Sequence, residues 1–191
     1  SRFVSGITVK DKLSLGHTSL LNAMKNKKLS GVHELWKSRF LPGGDVTKFN
    51  QEAADAAESL VFFGISPVLT DPKQNAALDL TASPPNVKFK WVKNQHTGST
   101  DLDMNDYRLL LFNSDYSKVL LDKQWLGNVL QYDLTDTDVQ AVTKAMGVTI
   151  SDIKAVVFGR NTLAPETGPY AGNVVDIRVQ GANRFVVMVV D

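Results

Sequence analysis

The stretch from Leu78 to Lys118 constrains the fold of this chain more than any other. It reads LDLTASPPNVKFKWVKN, then QHTGST, then DLDMNDYRLLLFNSDYSK. Val87–Trp91 alternates with a period of two, which places Val87, Phe89 and Trp91 on one face of a strand. Tyr107–Phe112 is a near-continuous apolar run of strand length. The two runs read as a hairpin at the core of a sheet that later strands complete. The loop between them ends in an acidic cluster of Asp101, Asp103 and Asp106, with Asn105 among them.

The rest of the C-terminal part continues this texture. Asn113-Ser114-Asp115 is a turn, Lys118–Leu121 a partner strand, and Trp125 and Gly127 lead into a strand over Val129–Leu134. Thr135 or Asp136 caps a helix that points Val139, Val142 and Met146 inward and stops at Gly147. Ile153–Phe158 is a strand, Arg160–Gly172 a loop, and Val174–Val179 with Phe185–Val190 a closing hairpin. With the short runs punctuated by Pro67, Pro72 and Pro84-Pro85, this amounts to seven or eight closely spaced strands. That is the pattern of a mainly β fold, an antiparallel β-sandwich with one inserted helix.

The chain before residue 66 is composed differently. Ser1–Leu15 alternates weakly, Thr18 caps a short helix ending in Lys25, Lys27 and Lys28, and Val32, Leu35, Trp36 and Phe40 share a helical spacing. Pro42-Gly43-Gly44 breaks the chain. Asp45 then caps a helix over Val46–Phe63, with Phe49, Ala53, Ala56, Ala57 and Leu60 on its apolar face and Gly64 as its stop. The expected units are a helical basic arm (1–44), an amphipathic helix (45–64) and a sandwich (66–191). Charge divides in the same way. Residues 1–48 carry nine Lys or Arg against three acids, a net of +6, and the remainder carries 12 against 17, a net of −5. Such an arm can lie on an acidic surface, its own or a partner's. Trp36 and Phe40 are large anchors for so short an element, and two readings stand: packing on their own domain, or docking on a neighbouring subunit, with Lys25, Lys27 and Lys28 beside them.

Several chemistries are excluded. The chain has no cysteine, so disulfides, thiolate metal sites and cysteine nucleophiles are absent. No stretch of about 18 apolar residues exists. Ser1–Gly16 lacks the apolar core of a signal peptide, and a chain starting at Ser1 is what removal of an initiator methionine leaves. The expected location is the cytoplasm, or a virion if the protein is viral. His17, His33 and His96 are scattered, no serine sits in a Gly-x-Ser-x-Gly elbow, and Pro42-Gly43-Gly44-Asp45 lacks the lysine of a phosphate loop. The aromatics do not interleave with the basic residues as a base-stacking platform requires. An enzyme is therefore not expected, and neither is a nucleic-acid or membrane partner. The acidic cluster leaves two readings. Asp101, Asp103, Asn105 and Asp106 on a curved loop can present oxygens to a hard cation such as Ca²⁺, or they form a solvated turn.

The order of features resembles the tellurium-resistance TerD family. The residues that carry the likeness are Leu69-Thr70-Asp71-Pro72, Leu80-Thr81, Pro84-Pro85, Val87–Trp91, Asp101-Leu102-Asp103, Tyr107–Phe112, Tyr132-Asp133-Leu134 and Ala155-Val156-Val157-Phe158. The resemblance covers about residues 67–191. It implies a calcium-binding β-sandwich without catalytic activity, linked to stress response and phage defence, in which Asp101 and Asp103 match the first acidic motif. The family's second acidic loop, Gly-Asp-Asn-x-Thr-Gly, has no counterpart between Leu121 and Tyr132. The expectation is thus a structural protein that acts through protein contacts, as an oligomer or as a virus or phage component (decoration, tail or connector). The alternative is a calcium-binding stress-response protein.

Overall fold

The computed structural model describes residues 45–62, 66–93, 104–163 and 169–181. The expected helices before Asp45, the residues Lys25, Lys27, Lys28, Trp36 and Phe40, and the run Phe185–Val190 lie outside these. Two helices and eight strands follow in order: α1 (Gln51–Phe62), β1 (Val68–Asp71), β2 (Ala76–Asp79), β3 (Lys88–Val92), β4 (Asp106–Asn113), β5 (Val119–Lys123), β6 (Gln131–Asp133), α2 (Asp136–Met146), β7 (Ile153–Arg160) and β8 (Tyr170–Gln180). The fold is mainly β, as expected. One sheet has the order β1-β3-β6 and the other β2-β8-β7-β4-β5. All pairings are antiparallel except that of β2 with β8, which is parallel.

The five-stranded sheet explains the apolar run of β4. Both of its faces are covered, so neither set of alternating side chains meets water. Tyr107, Leu109 and Leu111 of β4 and Ile153, Ala155 and Val157 of β7 point into a core shared with Leu69, Phe89 and Trp91. The alternate residues Leu110, Phe112, Val156 and Phe158 point the other way, into a second core closed by Phe49, Ala53, Ala54 and Ala57. The described residues therefore stack in three layers: three-stranded sheet, five-stranded sheet, α1.

β3 and β4 do not form the expected hairpin. They belong to opposite sheets. Their inward residues meet across the core, and the connection from Val92 to Asp106 is long enough to bridge the ~10 Å between packed sheets. Of the expected closing hairpin, Val174–Val179 lies within β8, which runs between β7 and β2, and Phe185–Val190 lies outside the described residues.

The helix expected from Val46 is interrupted. Asp45 caps only a short 3-10 turn, Val46–Lys48, by accepting from the Thr47 amide at 3.2 Å. Phe49 is extended, and Asn50 caps α1 by accepting from the Ala53 amide at 2.9 Å. The break lets Phe49 pack among Phe112, Tyr116 and Phe158, with ring centroids 6.0, 5.7 and 5.3 Å away. The small alanines then let α1 lie close on β8.

α2 follows its sequence signals. Thr135 and Asp138 form a reciprocal capping box, and Gly147 ends the helix at φ 65°. Val139, Val142 and Met146 enter the first core.

Two asparagine side chains occupy hydrogen-bonding positions along strand edges. Asn173 accepts from the Leu69 amide at 2.7 Å and donates to the Leu69 carbonyl at 3.3 Å. Asn86 accepts from the Asp79 amide at 3.0 Å and donates to the Ala77 carbonyl at 2.9 Å. Each stands in for a neighbouring strand, which protects β1 and β2 from pairing with another chain.

Candidate functional site

Asp101 and Asp103 lie outside the described residues. Asn105 and Asp106 come together at the end of the sandwich where β4 begins and β7 finishes. Asp106 stands opposite Arg160 in the β4–β7 register. Asp106 is 6% exposed. Arg160 donates Nε at 2.9 Å and Nη2 at 2.8 Å to Oδ2, and the Gly127 amide donates to Oδ1 at 2.8 Å. Asn105 is tied reciprocally to Thr162: Oδ1 accepts from the Thr162 amide at 3.0 Å and Nδ2 donates to Oγ1 at 3.0 Å. The two residues thus pin the 124–130 and 160–163 segments to the start of β4. Among the described residues, no group of three His, Cys, Asp or Glu side chains is placed to hold a metal ion.

Trp125 forms the centre of a second feature at this end. Arg160 Cζ lies 3.7 Å from its ring centroid and Arg108 Cζ 5.9 Å. Arg108 is itself bidentate on Asp122, Nε to Oδ1 at 2.8 Å and Nη2 to Oδ2 at 2.6 Å. Trp125 adopts a φ of 24°, a conformation that costs a bulky residue energy and that the surrounding contacts sustain. Nothing local in the sequence marks these partners. Trp125 is visible only as an apolar residue before a turn, and Asp106 and Arg160 are 54 positions apart.

A third cluster joins Lys123, Tyr132 and Asp138. Tyr132 donates its hydroxyl to Asp138 Oδ2 at 2.6 Å, and Lys123 Nζ approaches Oδ1 at 3.1 Å. The Thr135 amide donates to Oδ2 at 3.0 Å. Burial pushes the Asp138 carboxyl up. The hydrogen bonds from Tyr132, Thr135 and Lys123 outweigh it and hold the group below its ordinary range. The Lys123 ammonium is held above its usual range by Tyr132 and by Asp138. Each member is consumed by the others, in the manner of a structural brace at the start of α2.

A shallow hollow of about 340 Å³ lies between the β4–β5 turn and the end of α2, lined by Asn113, Asp115, Lys118, Leu120, Met146 and Thr149. Asp115 already accepts from Ser117, and Asn113 from the Lys118 amide.

A group of exposed apolar residues lies where β3 ends and β6 begins. Val92, Val129 and Leu130 are 40, 38 and 45% exposed there. Val92 pairs with Val68 on β1, and the Trp91 amide donates to the Leu130 carbonyl at 3.0 Å, which brings the apolar residues of three adjacent chain segments together. Sequence alternation identified the inward residues of β3, and Val92 is the outward residue that this alternation leaves. Among the described residues, no helix is long and apolar enough to cross a membrane. No family model matches this chain, and no curated protein or solved structure matches it either.

Proposed function

We propose that this protein is a non-enzymatic structural component, a β-sandwich that acts through protein–protein contacts in an oligomer or a larger assembly such as a virus or phage particle. The observation that supports this reading best is the group of exposed apolar residues Val92, Val129 and Leu130 where β3 ends and β6 begins. Exposed apolar side chains gathered in one place mark a contact surface. The polar clusters at the end of the sandwich support it too, because their charges are spent on one another: Arg160 on Asp106, Arg108 on Asp122, Lys123 on Asp138. The net charge of +6 on residues 1–48 against −5 on the remainder adds a second means of attachment.

The test is the native mass of the purified protein together with its recovery in a particle fraction. Deletion of residues 1–44 is expected to abolish assembly and to leave the melting of the remaining domain unchanged. A truncated protein that assembles as the full chain does sinks the role given to the arm.

A further inference from the structure

We propose that the hollow between the β4–β5 turn and the end of α2 binds a small zwitterion, a free α-amino acid with an aliphatic side chain. The side chain of the ligand lies on Leu120 and Met146. Its ammonium group meets Asp115, and its carboxylate meets Lys118 and the hydroxyls of Thr149 and Ser151. The inference is independent of the assembly reading above.

The floor of the hollow comes from the main core. Leu120 on β5 and Met146, the last residue of α2, belong to the cluster that fills the sandwich, at 4% and 7% exposure. Both also line the hollow, so the core reaches the surface there. α2 stops at Gly147, whose φ is 65°, and residues 148–152 connect it to β7. The space between that connection and the β4–β5 turn is about 340 Å³. Small-molecule sites run from about 300 to about 1,000 Å³, so this one suits a ligand of amino-acid size.

The rim is polar and held in place without a ligand. Asn113 ties the β4–β5 turn together, donating Nδ2 to Ser117 Oγ at 2.8 Å and accepting on Oδ1 from the Lys118 amide at 2.9 Å. Asp115 accepts from the Ser117 amide at 3.0 Å and from its hydroxyl at 2.6 Å, both on Oδ1. The hydrogen bonds from Ser117 hold the Asp115 carboxyl below its usual range, and Oδ2 keeps acceptor capacity for an ammonium group. Lys118 Nζ and the hydroxyls of Thr149 and Ser151 make no hydrogen bond or ion pair among the described residues.

The charges decide the ligand class. Arg160, Arg108 and Lys123 are spent on carboxylates. Asp115 and Lys118 line one hollow and do not pair with each other. A plain carboxylic acid would bring a like charge to Asp115, and a plain amine would bring one to Lys118. A zwitterion offers each its counter-charge. The apolar floor adds the demand for an aliphatic side chain, which covers Leu120 and Met146.

The test is calorimetric titration of the full chain with L-leucine. Saturable binding with a Kd of about 1 mM is expected. Isocaproate lacks the ammonium group, isoamylamine lacks the carboxylate and glycine lacks the side chain. Each is expected to bind at least ~10-fold more weakly. Lys118→Ala and Asp115→Asn are expected to weaken leucine binding ~10-fold. Thr149→Trp fills the hollow from its rim and is expected to abolish binding. All three positions are exposed, so melting temperatures should stay within about 2 °C of the wild type. A wild type that gives no saturable heat up to about 10 mM leucine overturns the inference. So does leucine binding that survives Thr149→Trp, because the ligand then sits elsewhere. An acid or an amine that binds as tightly as leucine, or an unchanged affinity in Lys118→Ala or Asp115→Asn, overturns the zwitterion as the ligand class.

Discussion

Trp91 on β3 and Tyr107 on β4 face one another across the sandwich, ring centroids 5.8 Å apart and planes inclined at 52°. Both are nearly inaccessible, at 2% and 0% exposure. The pair ties together two strands that are close in sequence and lie in different sheets. Its integrity measures whether the two sheets are packed. Trp91→Ala removes the larger ring and leaves a cavity that β-sheet backbones cannot collapse to fill. The expected cost is ~3–5 kcal/mol in urea unfolding. Tyr107→Phe keeps the ring and deletes the hydroxyl that donates to the Met104 carbonyl at 3.2 Å, at an expected cost of ~1 kcal/mol. A Trp91→Ala loss below that of Tyr107→Phe would show that the ring contact contributes little.

Asn173→Ala should destabilise more than its modest burial implies. It strips one donor and one acceptor from Leu69, a residue that is itself 4% exposed. The expected loss is ~1–3 kcal/mol. Asn86→Ala exposes the Ala77 carbonyl and the Asp79 amide, and the expected outcome there is faster aggregation on heating, followed by light scattering. Asn173→Asp tests the donor separately, because the carboxylate still accepts from the Leu69 amide and can no longer donate to its carbonyl.

At the neighbouring position, Gly172→Ala should be poorly tolerated. A Cβ there would sit 2.6 Å from the Pro67 carbonyl oxygen and 3.0 Å from that of Val157, both backbone atoms without a side-chain torsion to relieve them. The close approach of β8 to the start of β1 requires a residue without a side chain. The expected loss is ~1–3 kcal/mol by thermal melting, in spite of the favourable effect of Gly→Ala on the unfolded chain.

What the sequence could reveal follows from the range of each signal. α2 was readable because Thr135 and Gly147 are local instructions that need no partner. The strand character of Tyr107–Phe112 was readable from its composition. Alternation reports which side chains share a face and says nothing about which sheet the strand joins, so β3 and β4 were expected to pair. The interruption at Phe49 was hidden because Phe49 falls on the same apolar stripe whether helical or extended. Its conformation is set by Phe112, Tyr116 and Phe158, which lie far along the chain. At the acidic cluster, the charge of Asp106 was plain, and its arginine partner was not, because register across two strands decides it.

Asp106→Asn tests what that carboxylate is for. The substitution keeps an acceptor for the Gly127 amide and removes the charge opposite Arg160. Breaking a largely buried pair on one side should cost ~2–4 kcal/mol. The calcium reading makes a different demand, since a cation at Asp101, Asp103, Asn105 and Asp106 would compete with Arg160 for Asp106. Calorimetric titration with Ca²⁺ is expected to give no heat in the wild type. A site tighter than about millimolar that Asp103→Ala abolishes would favour the calcium-binding alternative.

The Lys123–Tyr132–Asp138 brace predicts how stability responds to acid and to base. The Asp138 carboxyl is held below its ordinary range in the folded protein, so the folded state binds its proton less well than the unfolded chain does. The stabilisation is therefore complete above the unfolded value of about 3.8 and is lost as pH falls through the lower folded value. Lys123 is shifted in the opposite sense, upward. Its contribution is present below the unfolded value of 10.5 and disappears as pH rises through the higher folded one. Tyr132 is also raised, by burial and by its hydrogen bond to Asp138, so it too loses stabilisation on the alkaline side. Asp138→Asn should flatten the acid limb of the unfolding free energy and lower stability near pH 7 by ~1–3 kcal/mol. Tyr132→Phe should flatten the alkaline limb and leave part of the acid limb in place, because the Thr135 amide and Lys123 still hold the carboxylate. Urea midpoints for the three proteins, measured from pH 3 to pH 11, check the prediction. An Asp138→Asn curve parallel to that of the wild type at low pH would remove Asp138 from the account.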